Sequence, residues 1–323
     1  MRINTQGFRI GETAPPRPQR TFLLEGTKDL DTVIPAESRF TEGAGPVYPT
    51  LGRRLFPALD ALEITMDQLG KHPTPEELDR SNVRRLIRAM LPVLEAYSDC
   101  YPKKAYKKAA GELGTIVSAV GQFKDVAVLE TTVGTLYPDG VIPPRIAKRL
   151  EKTHNQEAEL FRDAYKHFRK EGLETVLDTF SQPHRLEEGS PARIETEDRR
   201  LLGNRALELL DKAENRGLVH QDPEEFHGGR KALRRVLNAV GASADILAWP
   251  KEDVEAMTRL VDGLGVAQDS FIAYEWLEKE GLHAEATKMK AEYDARHQAE
   301  IQEAQRFIDS GAFGRLRAAA ELA

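Results

Sequence analysis

The sequence lacks the features that would place the protein outside a reducing cytoplasm. It has a single cysteine, Cys100, so no disulfide can form within the chain. None of its apolar runs approaches the roughly 20 residues that a membrane helix needs. The N-terminal segment has no apolar core of the kind that a signal peptide carries. We therefore expect a soluble, cytoplasmic protein that makes no contact with a membrane.

The chain also lacks an excess of basic residues. It has 46 Lys and Arg residues against 52 Asp and Glu residues, which gives a net charge of −6. Proteins that bind nucleic acid without sequence preference usually carry a basic excess. Aromatic residues make up 7% of the chain, and none stands among the basic residues at 84–88 or 230–235, where base stacking would require it. Nucleic acid is therefore not an expected partner, and any anion site must be a local cluster that the fold assembles.

Sequence patterns of metal and phosphate chemistry are also missing. The pair Gly228-Gly229 is too short for a glycine-rich phosphate loop. No His-x-x-x-His pair lies near His227, so we predict neither a metal nor a cofactor. Asp125 and Asp269 are candidate acids for a phosphohydrolase, but a buried structural role beside arginines is the favoured interpretation. His154 and His297 are interpreted as ordinary, partly buried histidines.

Helical periodicity dominates the chain from residue 48 onwards, whereas residues 1–47 match no regular element and are interpreted as an irregular arm. A short strand at Thr21–Leu24 in this arm is left open. Prolines open several predicted helices, in positions where their missing N–H group does no harm. The sequence predicts an all-α protein, with helices near residues 48–70, 75–97, 102–133, 143–172, 196–216, 222–240, 251–281, 283–309 and 313–322.

One predicted helix combines a basic face with an apolar one. The segment 226–238 reads FHGGRKALRRVLN, and no acid occurs between Glu225 and Asp245. Like charges on one helix face repel each other, so the row is either a solvated surface or a site for a counter-ion. His227 either donates a hydrogen bond to such an anion or caps the helix. At 3.6 residues per turn, one face collects His227, Arg230, Lys231 and Arg234, with Arg235 beside them.

The basic row occurs twice. Arg84-Arg85-x-x-Arg88 lies 146 positions before Arg230-Lys231-x-x-Arg234, and Arg53-Arg54 lies 146 positions before Arg199-Arg200. The segment from Gly121 to Asp125 lies 144 positions before the segment from Gly265 to Asp269. Within each adjacent arginine pair, one side chain should face inward and the other outward. The order and spacing of these landmarks indicate an internal repeat.

The repeat predicts two four-helix bundles, residues 48–172 and 196–323, joined by a connection at 173–195. A pseudo-two-fold axis between the bundles would bring equivalent helices face to face and create a basic cleft between them. Arginine binds phosphate oxygens bidentately, and two matched rows suit an extended polyanion better than a single phosphate or sulfate ion. A helical structural or adaptor protein is the alternative, and a metal-dependent phosphohydrolase is the less favoured one.

These motifs resemble the CHAD family, the conserved-histidine α-helical domain, over residues 48–323. Its repeats carry a His-x-x-Arg-x-x-x-Arg-Arg pattern and, in the first repeat, a following Gly-x-x-Arg-Asp. The resemblance implies two four-helix bundles and non-enzymatic binding of inorganic polyphosphate between them, often on polyphosphate granules. The polyphosphate-binding residues would be Arg84, Arg85, Arg88, His227, Arg230, Lys231, Arg234 and Arg235, extended by Arg53, Arg199, Lys104, Lys108 and Lys124.

The first repeat departs from the family pattern. Ser81 stands in place of the histidine and Ala89 in place of the second arginine, although Arg80 on the same helix could compensate. Lys124 stands where the family has arginine. We therefore expect the second repeat to hold the anion more strongly. Many relatives carry an N-terminal triphosphate tunnel domain, and the Glu-x-Glu-x-Lys strand of that domain is not found here, so a stand-alone binding module is expected.

Overall fold

The structure is a computed structural model that describes residues 38–41, 48–74, 77, 83–137, 139, 141–184 and 190–322. The predictions for the arm before residue 38, including Thr21–Leu24, and those for Arg80 and Ser81 lie outside these residues. All regular elements of the described ranges are helical, which confirms the prediction of an all-α protein. Among these helices, none is both long and apolar enough to cross a membrane.

Ten α-helices account for most of the described chain. Those of the first half are α1 (Phe56–Leu69), α2 (Val83–Ala96), α3 (Lys103–Gly134), α4 (Pro144–His167) and α5 (Leu173–Phe180). Those of the second half are α6 (Pro191–Glu214), α7 (Pro223–Ser243), α8 (Lys251–Lys279), α9 (His283–Asp309) and α10 (Ala312–Glu321). Short helical turns at Arg39–Thr41, Leu51–Leu55, Ser98–Cys100 and Phe168–Gly172 complete the set, and the last of these joins α4 to α5 without a break.

Helix boundaries follow local chemistry. Helix α1 ends at Gly70, whose φ of 69° is a conformation that glycine adopts without steric cost. Helix α6 begins at Pro191 rather than near residue 196, because the Ser190 side chain caps it by accepting from the backbone N–H of Arg193. The segment 191–195, predicted to be part of the connection, is therefore helical. Residues Leu173–Phe180, which the same prediction places in the connection, are helical as well and form α5.

The hydrophobic core has three parts, and helix α6 belongs to two of them. Its N-terminal part, at Ile194 and Leu202, packs among residues of α1 to α5. Its C-terminal part, at Leu209 and Leu210, packs among residues of α7 to α10. A third cluster joins the α3–α4 turn region, for example Leu129, to the facing residues of α8 and α9. The two halves are therefore connected through shared core as well as through the chain.

A buried carboxylate fixes the position of α6 on the first half. Asp198 is 1% exposed and accepts hydrogen bonds from the Thr50 backbone N–H (3.2 Å), the Thr50 hydroxyl (2.9 Å) and the Tyr97 hydroxyl. The pKa of Asp198 is raised overall because burial is the largest effect, and the hydrogen bonds from Tyr97 and Thr50 offset only part of it. Buried polar groups are stable only when their hydrogen bonds are made, so this network ties α6 to the segment before α1 and to the end of α2.

Candidate anion-binding site

Helix α7 carries the basic row of the second half. It begins at Pro223 and is capped by Asp222, whose carboxylate accepts from the backbone N–H groups of Glu224 and Glu225, both at 3.0 Å. The alternative that His227 caps this helix is therefore wrong. Residues on the flanking face are buried in the second core: Phe226, Leu233, Val236 and Leu237. This apolar anchoring leaves the face with His227, Arg230, Lys231 and Arg234 on one side of the helix.

Helix α2 carries the basic row of the first half. Its apolar face, including Ile87 and Met90, is buried in the first core. Arg85 is exposed, and Arg84 and Arg88 are partly buried. Helices α2 and α7 pack against each other, so the two basic rows lie on neighbouring helices.

The first arginine of each row lies against a glycine of the next helix. The Arg84 guanidinium (Nη2) is 3.3 Å from the point where a Cβ of residue 121 would stand. The Arg230 guanidinium (Nη2) is 3.0 Å from the corresponding point at Gly265. Arg230 is only 9% exposed. The same arginine–glycine contact therefore occurs in both halves, between α2 and α3 and between α7 and α8.

His227 is a neutral hydrogen-bonding group within the row. Its pKa is lowered to about 4, first by burial and then by the positive charges of Lys231, Arg230 and Arg234. A hydrogen bond with the side chain of Gln268 acts in the opposite direction. Gln268 lies on α8 and is 8% exposed, so the imidazole connects the basic face of α7 to the neighbouring helix. The anion site therefore gains no positive charge from His227 at neutral pH.

We expect the His227 imidazole to titrate near pH 4 in the ligand-free protein, against an ordinary value of 6.5. Because its folded pKa lies below the unfolded one, the protein should lose stability as the pH falls from 6.5 to 4. The loss should be about 1–2 kcal/mol, since solvent screens this half-buried group. NMR titration of the histidine side chains measures the pKa, with His227→Gln identifying the resonance. An imidazole that titrates at pH 6.5 or above would contradict this description.

The arginine pairs near the helix starts do not follow a simple inward–outward rule. Arg199 and Arg200 are both exposed, and each pairs within α6, with Glu195 (3.5 Å) and with Glu197. The expectation that one of these two side chains faces inward is therefore wrong. In the first half, Arg53 is exposed and Arg54 forms an ion pair with Asp245 at 2.7 Å.

The remaining predicted basic residues differ in their exposure to solvent. Lys104 and Lys108 are exposed on the first two turns of α3, and Lys124 is partly buried further along that helix. Lys231 and Arg235 are exposed on α7. Lys124 is the counterpart of Gln268 in the repeat, so the first half has a cation at the place where the second half has an amide.

The candidate acids and the long-helix histidines have separate environments. The expected burial is wrong for Asp125, which is exposed, while Asp269 is partly buried. His297 is 3% exposed, hydrogen-bonds with the Tyr293 hydroxyl (3.2 Å) and packs edge-on against Phe226. His154 is partly buried and packs edge-on against Phe123. Within the described ranges, no three His, Cys, Asp or Glu residues are placed together to hold a metal ion.

Two cavities of the described chain lie apart from the basic rows. One, of about 550 Å³, runs between α3 and α4 and is lined by small or uncharged residues such as Gly114, Ser118 and Leu160. The other, of about 390 Å³, lies between the Arg39–Thr41 turn and α5. Neither cavity is lined by a predicted site residue.

Sequence reasoning missed two arginines whose role is structural. Arg315 on α10 forms a paired contact with the buried Asp253, through two bonds of 2.8 and 2.7 Å. Arg317 pairs with Asp211 (2.7 Å) and Glu214. These contacts hold α10 against α8 and α6. The spacing of Arg315 and Arg317, two residues apart on one helix, gave no sequence signal of these ion pairs.

Comparison with known proteins places these features in context. The family model described as the CHAD domain matches residues 79–278. The crystal structure of the CHAD domain from the plant Ricinus communis is 16% identical to this chain, with a TM-score of 0.43, over 90% of this chain and 94% of that one. Comparison with curated proteins gives no match.

Proposed function

Because the chain belongs to the CHAD domain family, we propose that it binds inorganic polyphosphate along the basic rows of α2 and α7 without hydrolysing it. The observation that carries the proposal is the doubled row. Two helices that pack together each present arginines at the same spacing, and the first arginine of each row lies on a glycine of the following helix. A single structural ion pair would not require this duplication.

The proposal includes an architecture of two four-helix bundles, residues 48–172 and 196–323, related by a pseudo-two-fold axis. The equivalent contacts of Arg84 with Gly121 and Arg230 with Gly265 support it, since they join equivalent helices at nearly constant sequence offsets. The basic cleft would then lie where α2 meets α7. Its walls would be the two rows and the lysines of α3.

The dimensions of a row favour an extended anion. From residue 227 to residue 234 a helix rises roughly 10 Å, at 1.5 Å per residue. A single phosphate or sulfate ion could contact only part of such a row, whereas a polyphosphate chain could contact all of it. Guanidinium groups form bidentate, charge-assisted hydrogen bonds with phosphate oxygens, and partial burial at Arg230 strengthens the electrostatic attraction.

The chemistry of the row supports binding rather than turnover. Hydrolysis of a phosphoanhydride needs a positioned base or nucleophile, and the best base has a pKa close to the working pH. His227 is the titratable imidazole of the row, and its pKa is lowered to about 4. A base this weak has little driving force for taking a proton from water at neutral pH. We therefore propose that the protein is not an enzyme.

The two halves should contribute unequally. The second row has Arg235 where the first has Ala89. The Arg230 guanidinium is 3.0 Å from the point where a Cβ of residue 265 would stand, against 3.3 Å for Arg84 at residue 121. We propose that the second half holds the anion more strongly, that the protein is cytoplasmic, and that its cellular ligand places it on polyphosphate granules.

The experiment is a titration of the protein with long-chain polyphosphate and, separately, with single-stranded DNA of matched charge. We expect polyphosphate to bind at least about tenfold more tightly at physiological salt, since the rows have no aromatic residues on which bases could stack. Affinity should fall as salt rises, because bound cations of the polyanion are released. Equal affinities would contradict selectivity for polyphosphate. Release of phosphate during incubation would show instead that the protein is an enzyme, and no binding at all would favour an adaptor function.

A further inference from the structure

Glycines within the helices of this protein fall into distinct groups according to what surrounds them. On α3, Gly111 and Gly114 have open space at the position of a Cβ. Gly121, on the same helix, has the Arg84 guanidinium there. Glycine weakens a helix relative to alanine, so a helical glycine without a packing reason is unfavourable. The contrast separates glycines that could be replaced from one that makes room for a charged group.

We propose that Gly121 and Gly265 are positioning residues, which seat the guanidinium groups of Arg84 and Arg230 so that both can engage a phosphate chain. The proposal rests on the proposed function and assigns these two glycines a role in that same site. Each glycine acts through its arginine and need not touch the ligand. A Cβ at either position would crowd the guanidinium, which would have to shift by a few tenths of an ångström.

The contact at Gly265 involves one edge of the Arg230 guanidinium. Three atoms of Arg230 lie close to the position of a Cβ: Nη2 at 3.0 Å, Cζ at 3.6 Å and Nε at 3.5 Å. Because Nη2 and Nε are both nearer to this point than Cζ is, the guanidinium turns its Nε–Nη2 edge toward the glycine. The contact at Gly121 is looser, with Nη2 of Arg84 at 3.3 Å and Cζ at 3.9 Å. A methyl group should therefore displace Arg230 further than Arg84.

The orientation of the guanidinium matters because hydrogen bonds to phosphate oxygens depend on direction. A guanidinium presents its donors in a rigid fork, and a bidentate contact is lost when the fork turns away from the oxygens. Arg230 is also largely buried, so its orientation is set by its neighbours and not by solvent. A few tenths of an ångström at Gly265 would therefore change the geometry of the whole row.

Other crowded glycines of the protein have different neighbours. At Gly229 the space is taken by the backbone and side chain of Leu218, a packing contact. At Gly263 it is taken by the carboxylate of Glu300. At positions 121 and 265 the neighbour is instead an arginine of a basic row, and these two positions correspond in the repeat. This correspondence ties the two glycines to the site.

The experiment compares four single variants, each placing a methyl group on a helix. Gly265→Ala should weaken binding of long-chain polyphosphate about 10–100-fold, and Gly121→Ala about 3–10-fold, because each disturbs a bidentate contact. Gly111→Ala and Gly114→Ala are the matched controls on α3, and we expect affinities within about twofold of wild type and unfolding midpoints equal to or above it. An unchanged affinity for Gly265→Ala would overturn the proposal.

A double-mutant cycle separates positioning from a general structural effect. If Gly265 acts through Arg230, Gly265→Ala should weaken binding by less than about twofold once Arg230 is already alanine. An equally large effect in both backgrounds would overturn the proposal. Gly265→Ala should also keep a wild-type unfolding midpoint, since a loss of affinity that follows a loss of folding would count against positioning.

A measurement without ligand distinguishes failure of this inference from failure of the proposed function. The Nε–Hε NMR signal of Arg230 in the ligand-free protein, assigned with Arg230→Lys, should move in Gly265→Ala and stay in place in Gly114→Ala. If the wild-type protein does not bind polyphosphate, the proposed function fails and the polyphosphate role of the glycines fails with it. If it binds and the Arg230 signal does not respond to Gly265→Ala, only the positioning role is overturned.

Discussion

Replacing both Arg230 and Arg234 with alanine should lower the affinity for long-chain polyphosphate by at least about 100-fold. Each arginine can form a charge-assisted contact worth roughly 1.5–3 kcal/mol, and two such contacts correspond to a factor of 10² to 10⁴. The dependence of affinity on salt should also become weaker, because fewer cations are released from the polyanion when fewer arginines bind it. Isothermal titration at three or more salt concentrations would measure both quantities.

A charge-matched control is available on α9. Lys290 and Arg306 are exposed and pair with acids on the same helix, Asp294 at 2.7 Å and Glu303. Replacing these two with alanine removes the same net charge far from the rows in sequence, so we expect less than about a threefold change in affinity. Similar losses in both double variants would show that binding responds to net charge alone.

The equivalent change in the first half tests the inequality of the rows. Arg84→Ala combined with Arg88→Ala should cost less affinity than the change at Arg230 and Arg234, about tenfold, because the first row has Ala89 in place of Arg235. Each variant needs helical circular dichroism and an unfolding curve, since Arg230 is largely buried and its loss also removes packing. A larger effect in the first half would reverse the proposed asymmetry.

Asp198→Ala should lower the free energy of unfolding by about 3–5 kcal/mol, the largest stability loss that we expect from a single substitution in this protein. The substitution leaves the Thr50 N–H, the Thr50 hydroxyl and the Tyr97 hydroxyl without their acceptor in a buried site. An unsatisfied buried polar group costs roughly 1–3 kcal/mol. Urea denaturation followed by circular dichroism would measure the change.

Two milder variants test whether the hydrogen bonds are responsible. Asp198→Asn keeps a carbonyl acceptor and removes a charge whose burial is unfavourable, so it should cost roughly 1–2 kcal/mol. Tyr97→Phe removes one of the three donors and should cost about the same. A loss below about 1 kcal/mol for Asp198→Ala would show that the network contributes little to the attachment of α6.

The helices could be predicted from the sequence because their signals are local. Prolines at 144, 191 and 223 stand at the starts of α4, α6 and α7, and apolar periodicity continues between them. The start of α6 was misplaced because a proline- and glycine-rich segment precedes it, which is typical of a connection. The decisive signal was Ser190 followed by Pro191, an N-cap and a first-turn proline.

The basic rows of α2 and α7 could be predicted from the spacing of their residues. The residues that hold these helices and side chains in place could not. The repeated interval between Gly121 and Gly265 showed an equivalence, but a helical glycine in sequence does not say which side chain occupies its space. Asp198 lies in a run of charged residues, ETEDRR, and nothing local distinguishes it from the surface acids beside it. Its burial depends on Thr50, 148 positions away, and contacts of this separation cannot be inferred from one sequence.

The division of α6 between two cores has a consequence for synthesis on the ribosome. Residues of α1 to α5 leave the ribosome first, but Ile194 and Leu202, which belong to the same core, are made only afterwards. At roughly 5–20 residues per second, the stretch from residue 180 to residue 202 takes about one to four seconds. During that time the nascent first half exposes apolar surface that α6 will cover. We therefore expect the emerging chain to be a target for chaperones until α6 has been added.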